Sequence, residues 1–174
     1  MDHVRLREYM SAEVPVNMLS HIDRVVTLAG IFGEKYGLNV SEIKVAAQGH
    51  DLFRTLSKEE LLCKAQDLGL NIHPVELNSP VLLHGPLAAI ELKKRFGIDD
   101  LQVLEAIKWH TTGHPEFSLE SWAMFIADKV EPMKVEKNSD LQIVLDIANE
   151  SLEKAALTYI DIRINQALDL GLQL

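Results

Sequence analysis

The sequence has little cysteine, little aromatic content and no long apolar segment. Its single cysteine, Cys63, has no internal partner for a disulfide, which excludes disulfide scaffolds and cysteine-based zinc folds. No apolar run approaches the ~18 residues that a membrane-spanning helix needs. The first residues, MDHVRLREYMSAE, lack the apolar segment of a secretory signal. We therefore expect a cytoplasmic protein with no membrane partner.

Positive charge is also scarce. Lysine and arginine total 17 against 26 acidic residues, which gives a formal net charge of −9. The cations are scattered, and the longest run of them is Lys93-Lys94-Arg95. Such a surface is a poor partner for duplex nucleic acid. A small anionic ligand is compatible with it, because bound metal ions can supply a local positive field.

The chain does have helical periodicity nearly throughout. Its 174 residues suit one domain, which we expect over 1–174. Apolar residues recur at helical spacing, and the alternation of a strand is missing. We predict an all-α bundle of about seven helices.

Helix ends can be placed from capping residues. We expect the first helix over about 16–36, and loops over 70–80 and 111–117. Residues 139–169 indicate either one long helix or two shorter ones, with enough apolar residues to cover the bundle or to form a homodimer contact. Expected N-terminal caps are Ser41, Ser57, Asp99 or Asp100, and Ser118, and expected stops are Gly37, Gly69 and Gly97.

Polar residues stand where the helical pattern predicts the interior. Four histidines and one aspartate fall within or beside the apolar stripes of five predicted helices, and Asp51 follows one of these histidines directly. These five are His21, His50, His84, His110 and Asp128. A buried carboxylate without a partner is costly, and inward groups on several helices can satisfy one another by binding a metal. Imidazole and carboxylate together suit iron, manganese, zinc or nickel.

Each of these residues also has an ordinary structural explanation. A single histidine on an apolar face is most often a hydrogen-bonded core residue. Asp51 can cap a helix, and Asp128 can pair with a cation such as Lys129. A purely structural helical domain would require all of these explanations at once, so we favour the metal site.

The order H…HD…H…H…D resembles the HD-domain metal-dependent phosphohydrolases. His21, the pair His50-Asp51 and Asp128 match the core pattern, and His84 and His110 match the two intervening histidines of dinuclear members. The segments LLHGPLAA, AIKWHTTG and ADKVEP are similar to the YqeK-type branch, which hydrolyses diadenosine tetraphosphate symmetrically to two ADP. The resemblance covers about residues 17–165 and implies an HD-domain hydrolase with a nucleotide substrate.

The resemblance also implies a role for each matching residue. The six residues that match the pattern would bind two divalent ions, iron or else manganese, nickel or zinc, with Asp51 as the bridging ligand. Arg54 stands where the family has a lysine and would hold a substrate phosphate, so Asp51 and Arg54 are the expected catalytic residues. The expected reaction is attack of a metal-bridging hydroxide on phosphorus. The other expected substrate-binding residues are Thr111, Thr112, Gly113, His114, Lys129 and Lys134.

The sequence departs from the family at several cationic positions. His114 follows HTTG where the family has arginine, and Met133-Lys134 follow the EP pair where the family has Gly-Arg. The ligand set is complete, so these changes bear on the substrate and not on the chemistry. Two alternatives therefore stay open: a phosphohydrolase of nucleoside di- or triphosphates or other phosphoesters, and a non-catalytic sensor that binds a nucleotide or a metal.

Overall fold

The computed structural model describes residues 3–171, which is the expected domain without its outermost residues. All regular structure in this range is helical, as the periodicity predicts. A short 3₁₀ helix, Pro80–Leu83, precedes α6. The α-helices are α1 (His3–Glu13), α2 (Val16–Tyr36), α3 (Val40–Gly49), α4 (Lys58–Asp67), α5 (Pro74–Asn78), α6 (His84–Phe96), α7 (Leu101–Trp109), α8 (Leu119–Val130), α9 (Pro132–Lys137), α10 (Asp140–Ala148) and α11 (Leu152–Asp169).

Most of the predicted helix ends are confirmed. Ser57 and Glu60 form a reciprocal capping box at the start of α4, and Asp100 and Ser118 cap α7 and α8. The prediction for α3 is wrong, because Asn39 is the cap and not Ser41. The Asn39 side chain accepts a hydrogen bond from the Glu42 amide at 3.4 Å, so the helix begins earlier.

The described residues contain eleven α-helices where the patterns predict about seven, and most of the additional ones are short. α1 lies in the N-terminal segment, which has no marked apolar stripe. α5 lies in the expected loop over 70–80, and α9 begins at Pro132, since proline stops one helix and suits the first turn of the next. Residues 139–169 form two helices, because the chain breaks after Ala148 and Ser151 caps α11.

Helix α8 is the centre of the bundle. Nine of its residues are buried, and α2, α3, α7, α10 and α11 pack around it. α11 presents Leu152, Ala155 and Ala156 to the core, so it covers the bundle; a homodimer contact stays a prediction. Among the described residues, no helix combines the length and the apolar character that crossing a membrane requires.

Two glycines allow close helix packing beside candidate ligands. A β-carbon at Gly49, next to His50, would collide with the Leu92 side chain on α6. A β-carbon at Gly85, next to His84, would collide with the backbone at the end of α7. The ends of α3, α6 and α7 can therefore meet at one point.

Candidate functional site

Six polar side chains from five parts of the bundle converge beside α8. His21 lies on α2 and is half-buried. The other five lie at the end of α3, the start of α6, the end of α7 and on α8, and each is at most 7% exposed. They are His50, Asp51, His84, His110 and Asp128. The structure thus brings together every residue that the sequence predicts as a metal ligand.

The two carboxylate oxygens of Asp51 face different histidine pairs. Oδ2 lies 3.7 Å from His21 Nε2 and 3.5 Å from His50 Nε2. Oδ1 lies 3.2 Å from His84 Nε2 and 3.4 Å from His110 Nε2. Each oxygen and its histidine pair form a compact group of potential metal ligands. Asp51 is therefore placed to bridge two ions.

The histidines are held in one tautomer by the backbone. Each of three rings contacts the carbonyl oxygen three residues earlier through Nδ1: His50 with Ala47 at 2.8 Å, His110 with Ile107 at 2.7 Å, and His84 with Val81. A carbonyl only accepts, so Nδ1 carries the hydrogen, and Nε2 of a neutral ring directs its lone pair at the centre. Such contacts orient metal-ligating histidines.

The resulting donor set fits a divalent metal. His84 Nε2 and His110 Nε2 lie 2.9 Å apart, and His50 Nε2 is buried without a hydrogen-bond partner. Two lone pairs at that distance repel unless a cation lies between them. Imidazole nitrogens bind metals at about 2.0–2.1 Å, so two of them on one ion at a right angle would lie ~3 Å apart.

Burial and charge set the protonation of the cluster. Burial acts to raise the pKa of Asp51, but attraction to His50 holds it well below its usual range. Burial acts to lower the pKa of His50, but Asp51 and Asp128 outweigh it and raise the pKa to about 10. Burial, with repulsion from protonated His50, lowers the pKa of His110 to about 4. The aspartate and His110 are thus in the forms that bind metals.

Asp128 connects the first histidine pair to two lysines. Its Oδ1 lies 3.2 Å from His21 Nε2 and 3.7 Å from His50 Nε2. Burial acts to raise the pKa of Asp128, but Lys129 holds it well below its usual range. Lys129 donates to Oδ2 at 2.7 Å, and Lys134 donates to Oδ1 at 2.8 Å. Both lysines predicted to bind substrate therefore lie on the carboxylate of a candidate ligand.

Sequence reasoning missed a second layer behind His21. Glu131, 2% exposed, faces His21 Nδ1 at 3.3 Å and accepts from Arg24 Nε at 2.6 Å. Burial acts to raise the pKa of Glu131, but the hydrogen bond from Arg24 holds it below its usual range. A carboxylate accepts, so His21 donates through Nδ1 and directs Nε2 at the centre. The spacing of His21 and Arg24, one helical turn, is the signal that could have found this pair.

The comparisons with known proteins agree with this geometry. No family model matches the chain. It is 30% identical over 141 residues to the symmetrical bis(5'-nucleosyl)-tetraphosphatase of Staphylococcus aureus. The matched region covers 76% of this chain and 68% of that protein. The chain belongs to the symmetrical bis(5'-nucleosyl)-tetraphosphatase family.

Other tetraphosphatases and a solved structure extend the match. The proteins of that name from Bacillus subtilis and Halalkalibacterium halodurans are 30% and 32% identical over 64% of this chain. The matched region spans about 60% of the length of these two relatives. A crystal structure from Clostridium acetobutylicum is described as a predicted HD superfamily hydrolase involved in NAD metabolism. It matches this chain over its whole length and over 91% of the other protein's chain, with a TM-score of 0.90 at 29% identity. The predicted HD-domain helical fold is thereby confirmed.

The remaining predicted site residues of this tetraphosphatase homologue lie in two segments near the centre. Arg54 lies in the turn after Asp51, where its amide donates to the Asp51 carbonyl at 3.1 Å, and its side chain is exposed. Thr111 Oγ1 lies 3.4 Å from His110 Nε2. Thr112 is exposed, and Gly113 turns the chain with a φ of 75°.

His114 ends this loop in a contact that the sequence does not reveal. Its ring stacks on Trp109, with centroids 5.4 Å apart and planes at 27°. Its Nδ1 accepts from the Glu116 amide at 3.3 Å, so Nε2 is the nitrogen left to donate. The loop of residues 111–114 therefore begins at the histidine cluster with Thr111 and ends at Trp109 with His114.

Proposed function

We propose that this protein hydrolyses dinucleoside tetraphosphates symmetrically, converting diadenosine tetraphosphate to two ADP with two divalent metal ions. The observation that carries the proposal is the position of the Asp51 carboxylate, whose two oxygens each face a separate pair of histidine nitrogens. The relatives named symmetrical tetraphosphatases supply the substrate class. The cytoplasmic location expected from the sequence is part of the proposal.

The proposed metal ligands are the six clustered residues, with iron as the first candidate and manganese, nickel or zinc as alternatives. His21, His50, Asp51 and Asp128 would hold one ion, and Asp51, His84 and His110 the other. When bound, two such ions supply an activated water and neutralise charge on the reacting phosphate. The protein contributes histidine rings held with the hydrogen on Nδ1 and with Nε2 directed at the centre, and the burial that keeps competing water away.

Phosphate binding is assigned to cations at the edge of the cluster. The Arg54 side chain is exposed, and its guanidinium makes no hydrogen bond or ion pair with the described residues, so it can bind phosphate with two parallel hydrogen bonds. Lys134 is 39% exposed at its side chain and lies on Asp128. We assign Arg54, Lys134 and His114 Nε2 to binding of the substrate's phosphate chain. The opening of the site would be lined by Thr111, Thr112 and Gly113.

The reaction balances as a simple hydrolysis. The oxygen of one water molecule forms a bond to an inner phosphorus, and the bond from that phosphorus to the central bridging oxygen breaks. The leaving ADP takes the electron pair, and each product carries one nucleoside and two phosphates. Symmetry of products therefore reports which phosphorus the water attacks.

The test combines metal analysis with product chromatography. Protein purified without added metal is analysed for elements and incubated with diadenosine tetraphosphate. We expect about two metal ions per chain and ADP as the sole nucleotide product. ATP and AMP would contradict the cleavage position, and absence of turnover after reconstitution with each candidate metal would contradict the function.

A second candidate function is hydrolysis of other nucleotides by the same site. The observation that favours it is the contact of buried Lys129 with Asp128 and with the His110 carbonyl oxygen, which makes one cation expected to bind substrate unavailable to it. A panel of nucleoside di- and triphosphates and monoesters separates the candidates. A higher kcat/KM on any of these than on diadenosine tetraphosphate would favour the second function.

A further inference from the structure

Lys129 is a buried cation beside the candidate metal centre, and the proposed function gives it no role. It lies on α8 next to Asp128 and is 8% exposed. Burial of an ammonium group costs free energy unless an opposite charge and hydrogen bonds compensate for it. The acceptors that the Lys129 ammonium contacts therefore indicate what this buried charge does.

The candidate metal centre has two half-sites that share Asp51. The first half-site is His21, His50 and Asp128 with Asp51 Oδ2, and the second is His84 and His110 with Asp51 Oδ1.

One acceptor of Lys129 belongs to the first half-site. Lys129 Nζ donates to Asp128 Oδ2 at 2.7 Å. The other oxygen, Asp128 Oδ1, faces His21 Nε2 at 3.2 Å and His50 Nε2 at 3.7 Å. Lys129 thus holds one oxygen of this carboxylate and fixes the direction of the other towards the first histidine pair.

The other acceptor belongs to the second half-site. Lys129 Nζ donates to the carbonyl oxygen of His110 at 2.9 Å. His110 caps the end of α7, where carbonyl groups lack partners within the helix and attract cations. The Nε2 atom of the same His110 faces Asp51 Oδ1 at 3.4 Å. One ammonium group therefore joins the backbone of a candidate ligand in one half-site to the side chain of a candidate ligand in the other.

Aromatic packing holds the ammonium in this position. Lys129 Nζ lies 4.8 Å from the centroid of the Phe125 ring, within the range of a cation–π interaction. Phe125 is itself buried and packs edge to face against Tyr159 of α11. The side chain of Lys129 is thus part of the interior of the bundle.

We propose that Lys129 is a positioning residue that couples the two half-sites, because it holds the carboxylate of Asp128 and the backbone of His110 on one ammonium group. This role replaces the sequence-based expectation that Lys129 binds substrate. The proposal rests on the two-ion centre of the proposed function, but on neither the nucleotide nor the position of cleavage.

Metal binding to variants that keep one half-site intact tests the coupling. His84→Ala should keep the first ion and His21→Ala the second, and the Mn²⁺ affinity of each protein is measured by equilibrium dialysis without nucleotide. Lys129→Met, added to either protein, should lower the affinity for the remaining ion about 10–100-fold, the usual effect of losing a partner that orients a ligand.

Lys134→Met is the matched control in the His21→Ala protein. The Lys134 ammonium donates to Asp128 Oδ1 and to the Asp128 carbonyl oxygen, and both acceptors belong to a residue of the first half-site. Lys134→Met should therefore leave the affinity for the second ion unchanged, whereas Lys129→Met should lower it.

Chemical rescue shows whether the ammonium group or the packed volume carries the effect. Lys129 lines a pocket of about 250 Å³ together with Arg163 and Gln166 of α11, so a small amine can approach from this side. In Lys129→Ala, propylammonium replaces the atoms removed and should restore much of the lost Mn²⁺ affinity. 1-Propanol, which has a similar shape and no charge, should not. The same comparison serves if Lys129→Met does not fold, since Lys129→Ala can be prepared with propylammonium present.

Kinetics distinguish positioning from substrate binding. In the otherwise unchanged protein at limiting Mn²⁺, Lys129→Met should lower kcat for diadenosine tetraphosphate about tenfold with KM nearly unchanged. Added Mn²⁺ should partly restore the rate. A raised KM with unchanged Mn²⁺ affinity would overturn the proposal, because Lys129 would then bind substrate.

The outcomes separate this proposal from the proposed function. An affinity loss confined to the His84→Ala protein would overturn the coupling, because Lys129 would then act through Asp128 alone. Losses in both half-sites, in a protein that does not cleave diadenosine tetraphosphate, would support the coupling and overturn the proposed function. Symmetric cleavage, with Mn²⁺ affinities that Lys129→Met does not change, would support the function and overturn the coupling.

Discussion

Gly85 packs directly against the carbonyl oxygen of Lys108, and a β-carbon at position 85 would lie 2.7 Å from that oxygen. Gly85 follows His84, and Lys108 precedes His110 by two residues. This approach of α6 to α7 is therefore what brings the second histidine pair together. A backbone oxygen cannot move aside as the end of a flexible side chain can.

Gly85→Ala should consequently destabilise the protein and separate His84 from His110. We expect a loss of about 1–3 kcal/mol in the free energy of unfolding, the usual cost of overpacking, measured by urea denaturation. Gly30→Ala is the matched control, because its β-carbon would meet only the flexible end of Lys44. That change should stabilise α2 by about 0.5–1 kcal/mol, since alanine favours a helix over glycine. Equal stability of the two variants would refute this account.

Asp51→Asn should abolish hydrolysis and lower the metal content below that of any single histidine variant. Both proposed ions share Asp51, whereas His84→Ala removes a ligand from one of them. We expect about one ion per chain in His84→Ala and fewer in Asp51→Asn, by elemental analysis of the folded proteins. Asp161→Asn, on the exposed side of α11, is the control. An Asp51→Asn protein with wild-type rate would rule out the bridging role.

Glu131→Gln should weaken the site through His21 without touching substrate. The Glu131 carboxylate accepts from Arg24 at 2.6 Å and faces His21 Nδ1. Loss of such an outer partner costs roughly 10–100-fold in metal affinity or activity, so raised metal concentration should partly restore the rate. Glu91→Gln is the control, because Glu91 accepts from Arg95 at the same 2.6 Å but lies away from the cluster. Equal loss in both variants would mean that the effect is general.

Arg54→Ala should raise KM and leave the bound metal unchanged. The guanidinium is exposed and is assigned to phosphate, so its loss removes binding that ground state and transition state share. We expect a KM increase of about tenfold, a typical cost of one charge-assisted hydrogen bond. Arg54→Lys, which restores the family's usual residue, should recover most of the affinity. Metal lost from Arg54→Ala would contradict the assignment.

Stability should fall at alkaline pH through Tyr9. Burial, with the negative charge of Glu91, raises the pKa of Tyr9 to about 12, and its hydroxyl donates to Glu91 at 3.2 Å. The unfolded chain loses this proton near pH 10, so the contribution is complete below pH 10 and is lost as pH rises to 12. Allowing for solvent screening, we expect about 1 kcal/mol. Tyr9→Phe should remove this part of the pH dependence in urea titrations at pH 9 and pH 12, and an unchanged slope would refute it.

The sequence alone determined the helical class, most helix ends and the six clustered residues. These depend on local rules: apolar spacing within a helix, a capping box at Ser57, and polar groups such as His84 placed on inward faces. Short helices without a marked stripe, such as α5, were missed because their local signal is weak and tertiary packing completes them.

Only the tertiary structure decided which atoms meet. Three contacts depend on the axial position and rotation of each helix relative to α8. They are the two histidine pairs at Asp51, the contact of Lys134 with Asp128, and the pair Arg24–Glu131, which are 107 residues apart. Periodicity fixes the face of a helix but not its axial position, which is set by close packing such as that of Gly85 against α7. The contact of Lys129 with the carbonyl oxygen of His110 arises in the same way, because no local pattern connects α8 with the end of α7.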